Sequence, residues 1–169
     1  LSRRQRQMCI RDRKIKIILS HFHPDHIANV QHIKWESLYQ GKNTYKYTHI
    51  GEIVESDINV DETDIKLRIF QMPSSHAKGS LALLVNNKYC LLGDALYPAH
   101  KGDKTVYNAG ILKQQIDILK KMAAPYVLLS HREPFVQKKQ AVISWLEKIY
   151  AMREKNEPWI LMTGQNVLN

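Results

Sequence analysis

Residues 19–30 read LSHFHPDHIANV and place His21, His23, Asp25 and His26 within six positions, directly behind the apolar run Lys14–Leu19, KIKIIL. The isoleucines of that run favour a strand, and Pro24 suits the first position of a helix. Four polar donors therefore sit where a strand gives way to a helix. His21 and His23, one residue apart, project to the same side of an extended chain end, and Asp25 and His26 face the same mouth from the first helical turn. Nitrogen and oxygen donors of this kind suit zinc, with iron or manganese also open. An HxH pair alone is a common surface accident, so the rest of the chain decides its meaning.

Three further stretches put a donor at the end of an apolar strand: His76 in RIFQMPSSHAKGS, Asp94 in YCLLGDALYP and His131 in YVLLSHREPF. Binding sites in α/β sheets gather at the carboxyl ends of strands, so four such ends are what one active site requires. His32, His49 and His100 do not share this placement. Ser20, Ser75 and Ser130 each precede a donor histidine and can either hydrogen-bond it or serve only as small residues at strand ends.

Between these points the pattern alternates. The spacing of Ile27, Val30, Ile33 and Leu38 predicts a helix over 24–39, and the Tyr, Thr, Ile and Val content of 44–60 predicts short strands or extended loop. Lys66–Met72 alternates as a strand, and Leu81–Val85 with Tyr89–Leu92 forms a hairpin around Asn86-Asn87. A helix over 108–123 presents Ile111, Leu112, Gln115, Ile118, Leu119 and Met122 on one face and closes at Pro125. Tyr126–Leu129 is a buried strand and 136–155 a second amphipathic helix. The residues Ala95–Val106 read as a loop at the site's rim. The chain is a mixed α/β layered domain.

HFHPDH, followed by His76, Asp94 and His131 at intervals of 50, 18 and 37 residues, resembles the metallo-β-lactamase superfamily over roughly residues 14–135. The resemblance implies an αββα sandwich and a dinuclear site with two zinc ions. It assigns His21, His23 and His76 to a first metal and Asp25, His26 and His131 to a second, with Asp94 bridging. It also implies hydrolysis of a small ester, thioester, lactone or amide by a metal-bound water that becomes hydroxide, with Asp25 orienting that nucleophile or accepting its proton. A mononuclear iron oxygenase and a phosphodiesterase or nuclease are the alternatives within the superfamily, and a metal-stabilised binding domain lies outside it. Lys78, two residues past His76, is a candidate for a substrate carboxylate or phosphate, and Tyr97 for an oxyanion. Two departures stand out. Only one strand precedes HFHPDH, where the family has several, so part of the N-terminal β layer is expected to be missing; and His131 lies in SHREP, where many members have GHG.

Composition bounds the rest. The 169 residues are 44% apolar, enough for one globular core. No apolar run reaches the roughly 18 residues of a membrane span, and no signal-peptide pattern is present, which together predict a cytoplasmic protein. Two cysteines, Cys9 and Cys90, supply no disulfide framework and suit a reducing compartment. Of the net charge of +9, residues 1–13, LSRRQRQMCIRDR, carry +4. That stretch resembles a translated sequencing adapter and reads as a non-native segment, against the alternative of a natural basic arm that binds phosphates or a membrane surface, leaving 14–169 as the domain. Without it there is no basic stripe with interleaved aromatics, so a small-molecule substrate is expected in place of nucleic acid or membrane.

Overall fold

A computed structural model describes residues 14–162; the segment 1–13 and its reading as non-native lie outside the described residues. A six-stranded sheet forms the centre. Its strands are β4 (Ile58–Glu62), β5 (Ile65–Met72), β6 (Ser80–Val85), β7 (Tyr89–Gly93), β10 (Tyr126–Leu129) and β11 (Val136–Lys138), in the order β11-β10-β7-β6-β5-β4. A second sheet packs β1 (Lys16–Ile18) beside β2 (Ser37–Gln40) and β3 (Glu52–Ile53), all parallel. A third joins β8 (Ala99–Lys101), β9 (Lys104–Asn108) and β12 (Trp159–Met162).

Alternation along the central strands sends side chains to two faces. Phe70, Ala82, Leu84, Cys90, Leu92, Val127 and Leu129 form the main core with helices α3 (Ala109–Lys121) and α4 (Lys139–Ala151), which contribute Leu112, Ile116, Leu119, Val142 and Leu146. On the opposite face Ile69 and Leu81, with Ile58 of β4, pack against Val54 and against Ile18 and Tyr39 of the second sheet. Helices, central sheet and second sheet are thus stacked layers. Leu91 and Phe135, toward the β7-β10-β11 end of the sheet, stay partly exposed at 37% and 48%.

The 108–123 helix is present as α3, capped by Asn108, whose side-chain oxygen accepts from the Ile111 amide. The hairpin turn is present too, with Asn86 and Asn87 both at positive φ as a tight turn requires. The expected helix over 24–39 is corrected. Helix α1 covers only Pro24–Ile27, a 3₁₀ turn follows at Val30–His32, and the chain then extends into β2. Ile27, Val30 and Leu38 do face one apolar cluster, with Leu19, Ile17 and Trp35, but Leu38 reaches it from a strand paired with Ile17. Parallel pairing with β1 outweighs the helical spacing.

The segment 44–60 is corrected in part. Its β4 and β3 strands are short, as expected, but helix α2 occupies Lys42–Thr48. Tertiary contact overrides the β-propensity of its tyrosines and threonines: Thr44 is fully buried, and Gly41 lies so close to Gly79 that a Cβ there would stand 1.9 Å from the Gly79 carbonyl oxygen. The 95–106 loop is largely the β8–β9 hairpin, turning at Gly102 (φ 61°). The last predicted helix begins at Lys139, because Val136–Lys138 pairs with β10 first. No helix among the described residues is long and apolar enough to cross a membrane.

Candidate metal centre

The site is assembled by strand direction. Strand β5 is antiparallel to β6, β6 to β7, and β7 is parallel to β10. Strands β5, β7 and β10 therefore run the same way and deliver His76, Asp94 and His131 to one edge. The fourth contributor is fixed to that edge by the Leu81 amide at the start of β6, which donates to the Ser20 carbonyl at 2.8 Å. Gly93 makes the approach possible: a Cβ there would lie 2.8 Å from Ser20 Cβ and Oγ, and its φ of 53° suits glycine.

All seven donors named from the sequence converge. His21, His23 and His76 each bring a ligand atom within 4.8 Å of one another, and so do Asp25, His26, Asp94 and His131. Asp94 lies between the groups. Its Oδ2 is 3.7 Å from His21 Nε2, 3.5 Å from His76 Nε2, 3.5 Å from His26 Nε2 and 3.7 Å from His131 Nε2. These separations are too long for hydrogen bonds. They match the edge of a tetrahedron of nitrogen and oxygen ligands around one cation, about 3.4 Å for bonds near 2.1 Å. Nε2 of His21, His26 and His76 and Oδ1 of Asp94 are buried with no hydrogen-bond partner among the described residues, an arrangement that is costly unless a cation satisfies it. The residues fit the binding of divalent metal.

The opposite ring nitrogens are held by protein. Ser20 Oγ is 3.1 Å from Nδ1 of both His21 and His26, and His76 Nδ1 is 3.2 Å from the Pro98 carbonyl oxygen. Imidazoles that present Nε2 to a metal carry their proton on Nδ1; with metal bound, Ser20 Oγ would accept from one histidine of each group. Ser75 accepts from the Asn108 amide, and Ser130 offers its carbonyl to the Tyr97 hydroxyl, so among the three serines only Ser20 touches a ligand side chain. Tyr97 is thereby committed to the turn carrying His131, a residue itself at φ 57°. This placement makes it a support for that ligand instead of a free donor to an oxyanion. Lys78 is exposed on the His76 loop, while His32, His49 and His100 lie outside both groups.

Gln115 was read from sequence only as part of a helix face. It is fully buried, and its amide donates to the carbonyls of Pro73 at 2.7 Å and Ala95 at 2.6 Å, tying together the loops that carry His76 and Asp94. A lone polar residue on an otherwise apolar helix face was the signal. Ser74 adds to this by accepting the amides of His76 and Ala77, both at 3.1 Å.

Charge follows the same geometry. Burial, aided by His26, pushes the His21 imidazole down to about 4, and burial with His76 lowers His23. His76 is raised, first by Asp94. Burial opposes ionisation of Asp94, yet His76, His26 and His21 hold its carboxyl below the usual range. Asp25 is likewise held low: slight burial is outweighed by its own amide and by His26 and His131. Both carboxylates are anionic at neutral pH, and His21 and His23 are neutral, the state that metal binding needs.

Solved structures that share this architecture include the rubredoxin oxygen:oxidoreductase of Desulfovibrio gigas, at TM-score 0.65 and 9% identity over 83% of this chain and 45% of that one. An inverting sec-alkylsulfatase from Pseudomonas matches at 0.61 and 12%, covering 89% and 35%. A B3 metallo-β-lactamase with an active-site glutamic acid matches at 0.62 and 10%, covering 88% and 72%. This chain has the metallo-β-lactamase fold. No protein-family profile matches the sequence, and no curated protein matches it either. The chain spans less than half the length of the flavoprotein of Thermotoga maritima (44%) and of the D. gigas enzyme (45%). Neighbours with the metallo-β-lactamase fold thus include hydrolases and an oxidoreductase, and this chain carries two adjoining groups of His and Asp side chains that could hold metal.

Proposed function

We propose that this chain carries the dinuclear metal centre of a hydrolase acting on a small ester, thioester, lactone or amide, with zinc as the resident metal. The observation that carries the reading is Asp94 Oδ2, placed 3.5–3.7 Å from a histidine nitrogen of each group on both sides. His21, His23 and His76 would hold one ion, Asp25, His26 and His131 the other, and Asp94 both. Such a pair lowers the pKa of coordinated water toward neutrality and polarises a carbonyl oxygen.

The chain's own residues do the remaining work. Asp25 is half exposed at the mouth, with Oδ2 3.1 Å from His131 Nε2 and 3.5 Å from His26 Nε2. As an anion it can orient a nucleophile and accept its proton. His21 and Asp94 lie at the buried floor, while His131 and Asp25 are open to solvent, so substrate approaches from the second group's side. Lys78 is the candidate partner for a substrate carboxylate or phosphate, and the proposed compartment is the reducing cytoplasm. The same donors accept iron. A finding of iron would favour the alternative of an oxygenase.

The test is turnover of an ester and thioester panel by metal-loaded protein. Activity should vanish on chelation and return with zinc, and Asp25→Asn should lower kcat by about 100-fold or more while the first group keeps its metal. Turnover that survives chelation, or none on any class at two metals per chain, would overturn the reading.

A further inference from the structure

We infer that Phe22 and Tyr47 form a subsite that seats an aromatic or planar apolar group of the substrate beside His23. The inference rests on the metal-centre reading above and adds a substrate class to it. Phe22 lies between the two ligand histidines of HFH. Alternation along the extended HFH segment turns Phe22 to the side opposite both His21 and His23, where it meets the first metal group across the edge of the His23 ring. Its ring stands 5.0 Å from that of His23, edge to face, and is stacked on Tyr47 at 4.9 Å and 12°. Tyr47 is 61% exposed while Phe22 is partly buried beneath it, so the pair abuts the first metal group with the Tyr47 ring open to water.

The platform is held in place from several sides. Helix α2, which carries Tyr47, begins at Gly41, whose close contact with Gly79 fixes it to the loop bearing His76. Next to Tyr47, Thr48 Oγ1 donates to Oε1 of the buried Gln40 at 2.8 Å, and the Gln40 side-chain amide donates to the Ile50 carbonyl. Both ends of a seven-residue helix are therefore anchored to the strand and loop that frame the site. A preorganised aromatic face next to the ligands adds affinity for a flat apolar group without ordering cost.

The experiment uses zinc-loaded full chain and two thiols that reach the metal directly, benzyl mercaptan and ethanethiol, with Kd measured by calorimetry. Wild type should prefer the benzyl compound. Tyr47→Ala should reduce that preference by about 3- to 10-fold and leave the ethanethiol Kd unchanged, and Tyr47→Phe should retain it. If ethanethiol binds and the preference is the same in Tyr47→Ala, the subsite is refuted and the metal centre stands. If neither thiol binds, the metal-centre reading fails and the subsite falls with it.

Discussion

Replacing Ser20 with alanine tests the arrangement of the centre most sharply, because one oxygen serves both metal groups. Ser20 Oγ sits 3.1 Å from His21 Nδ1 and 3.1 Å from His26 Nδ1. Each such bond contributes about 0.5–1.5 kcal/mol, so removing both costs about 1–3 kcal/mol, which is about 5- to 150-fold in affinity. The loss should be shared, since His21 belongs to one group and His26 to the other. Competition against a chromogenic zinc chelator resolves the two binding steps, and both should weaken in Ser20→Ala. Thermal unfolding of the same samples separates this from a folding defect. Two zinc affinities within twofold of wild type would refute the claim that Ser20 orients the ligands.

Further outcomes follow from burial and charge. Cys90 is fully buried and its thiol is pushed up to about 12 by burial, so in a Cys9→Ser variant it should resist a disulfide-exchange reagent until the protein is unfolded; fast labelling of the native state would contradict this placement. Leu112→Ala empties a fully buried position of the α3 core and should cost about 2–5 kcal/mol in urea denaturation; a loss under 1 kcal/mol would mean the core is placed wrongly. His21 is lowered to about 4 in the fold against an unfolded value of about 6.5. The unfolded chain takes up the proton first, so this contribution is whole above pH 6.5 and is lost as pH falls toward 4. In metal-free protein the wild-type stability should drop relative to His21→Gln over that window, by on the order of 3 kcal/mol; parallel pH curves would exclude it.

The convergence of the donor side chains was legible because His21, His76, Asp94 and His131 each follow an apolar strand and His23, Asp25 and His26 lie within five residues of His21, a pattern that survives without knowledge of pairing. The Asn86-Asn87 turn and helix α3 were legible for local reasons, a left-handed pair and a capped amphipathic stretch. What failed was local reading where tertiary pairing decides. Leu38 fits a helical spacing from Ile27 but belongs to a strand beside β1. Lys42–Thr48 has strand-like residues but is a helix wedged on Gly79. Trp159 starts strand β12 against Asn108, a partner 51 residues away that no local pattern announces. Ser20 was one of three serines beside a donor histidine, and only the fold selects it from Ser75 and Ser130; Gln115 stood out only as a polar residue on an apolar face, and its two partners are set by the distance between loops.

The central claim is that Asp94 joins two metal ions held by these histidines. Elemental analysis of purified protein measures it directly, with Asp94→Ala and His131→Ala alongside. Two zinc per chain are predicted for wild type, one for His131→Ala, and a loss from both groups in Asp94→Ala. A folded wild-type chain that retains no metal, or an Asp94→Ala protein that keeps both ions, would contradict the account.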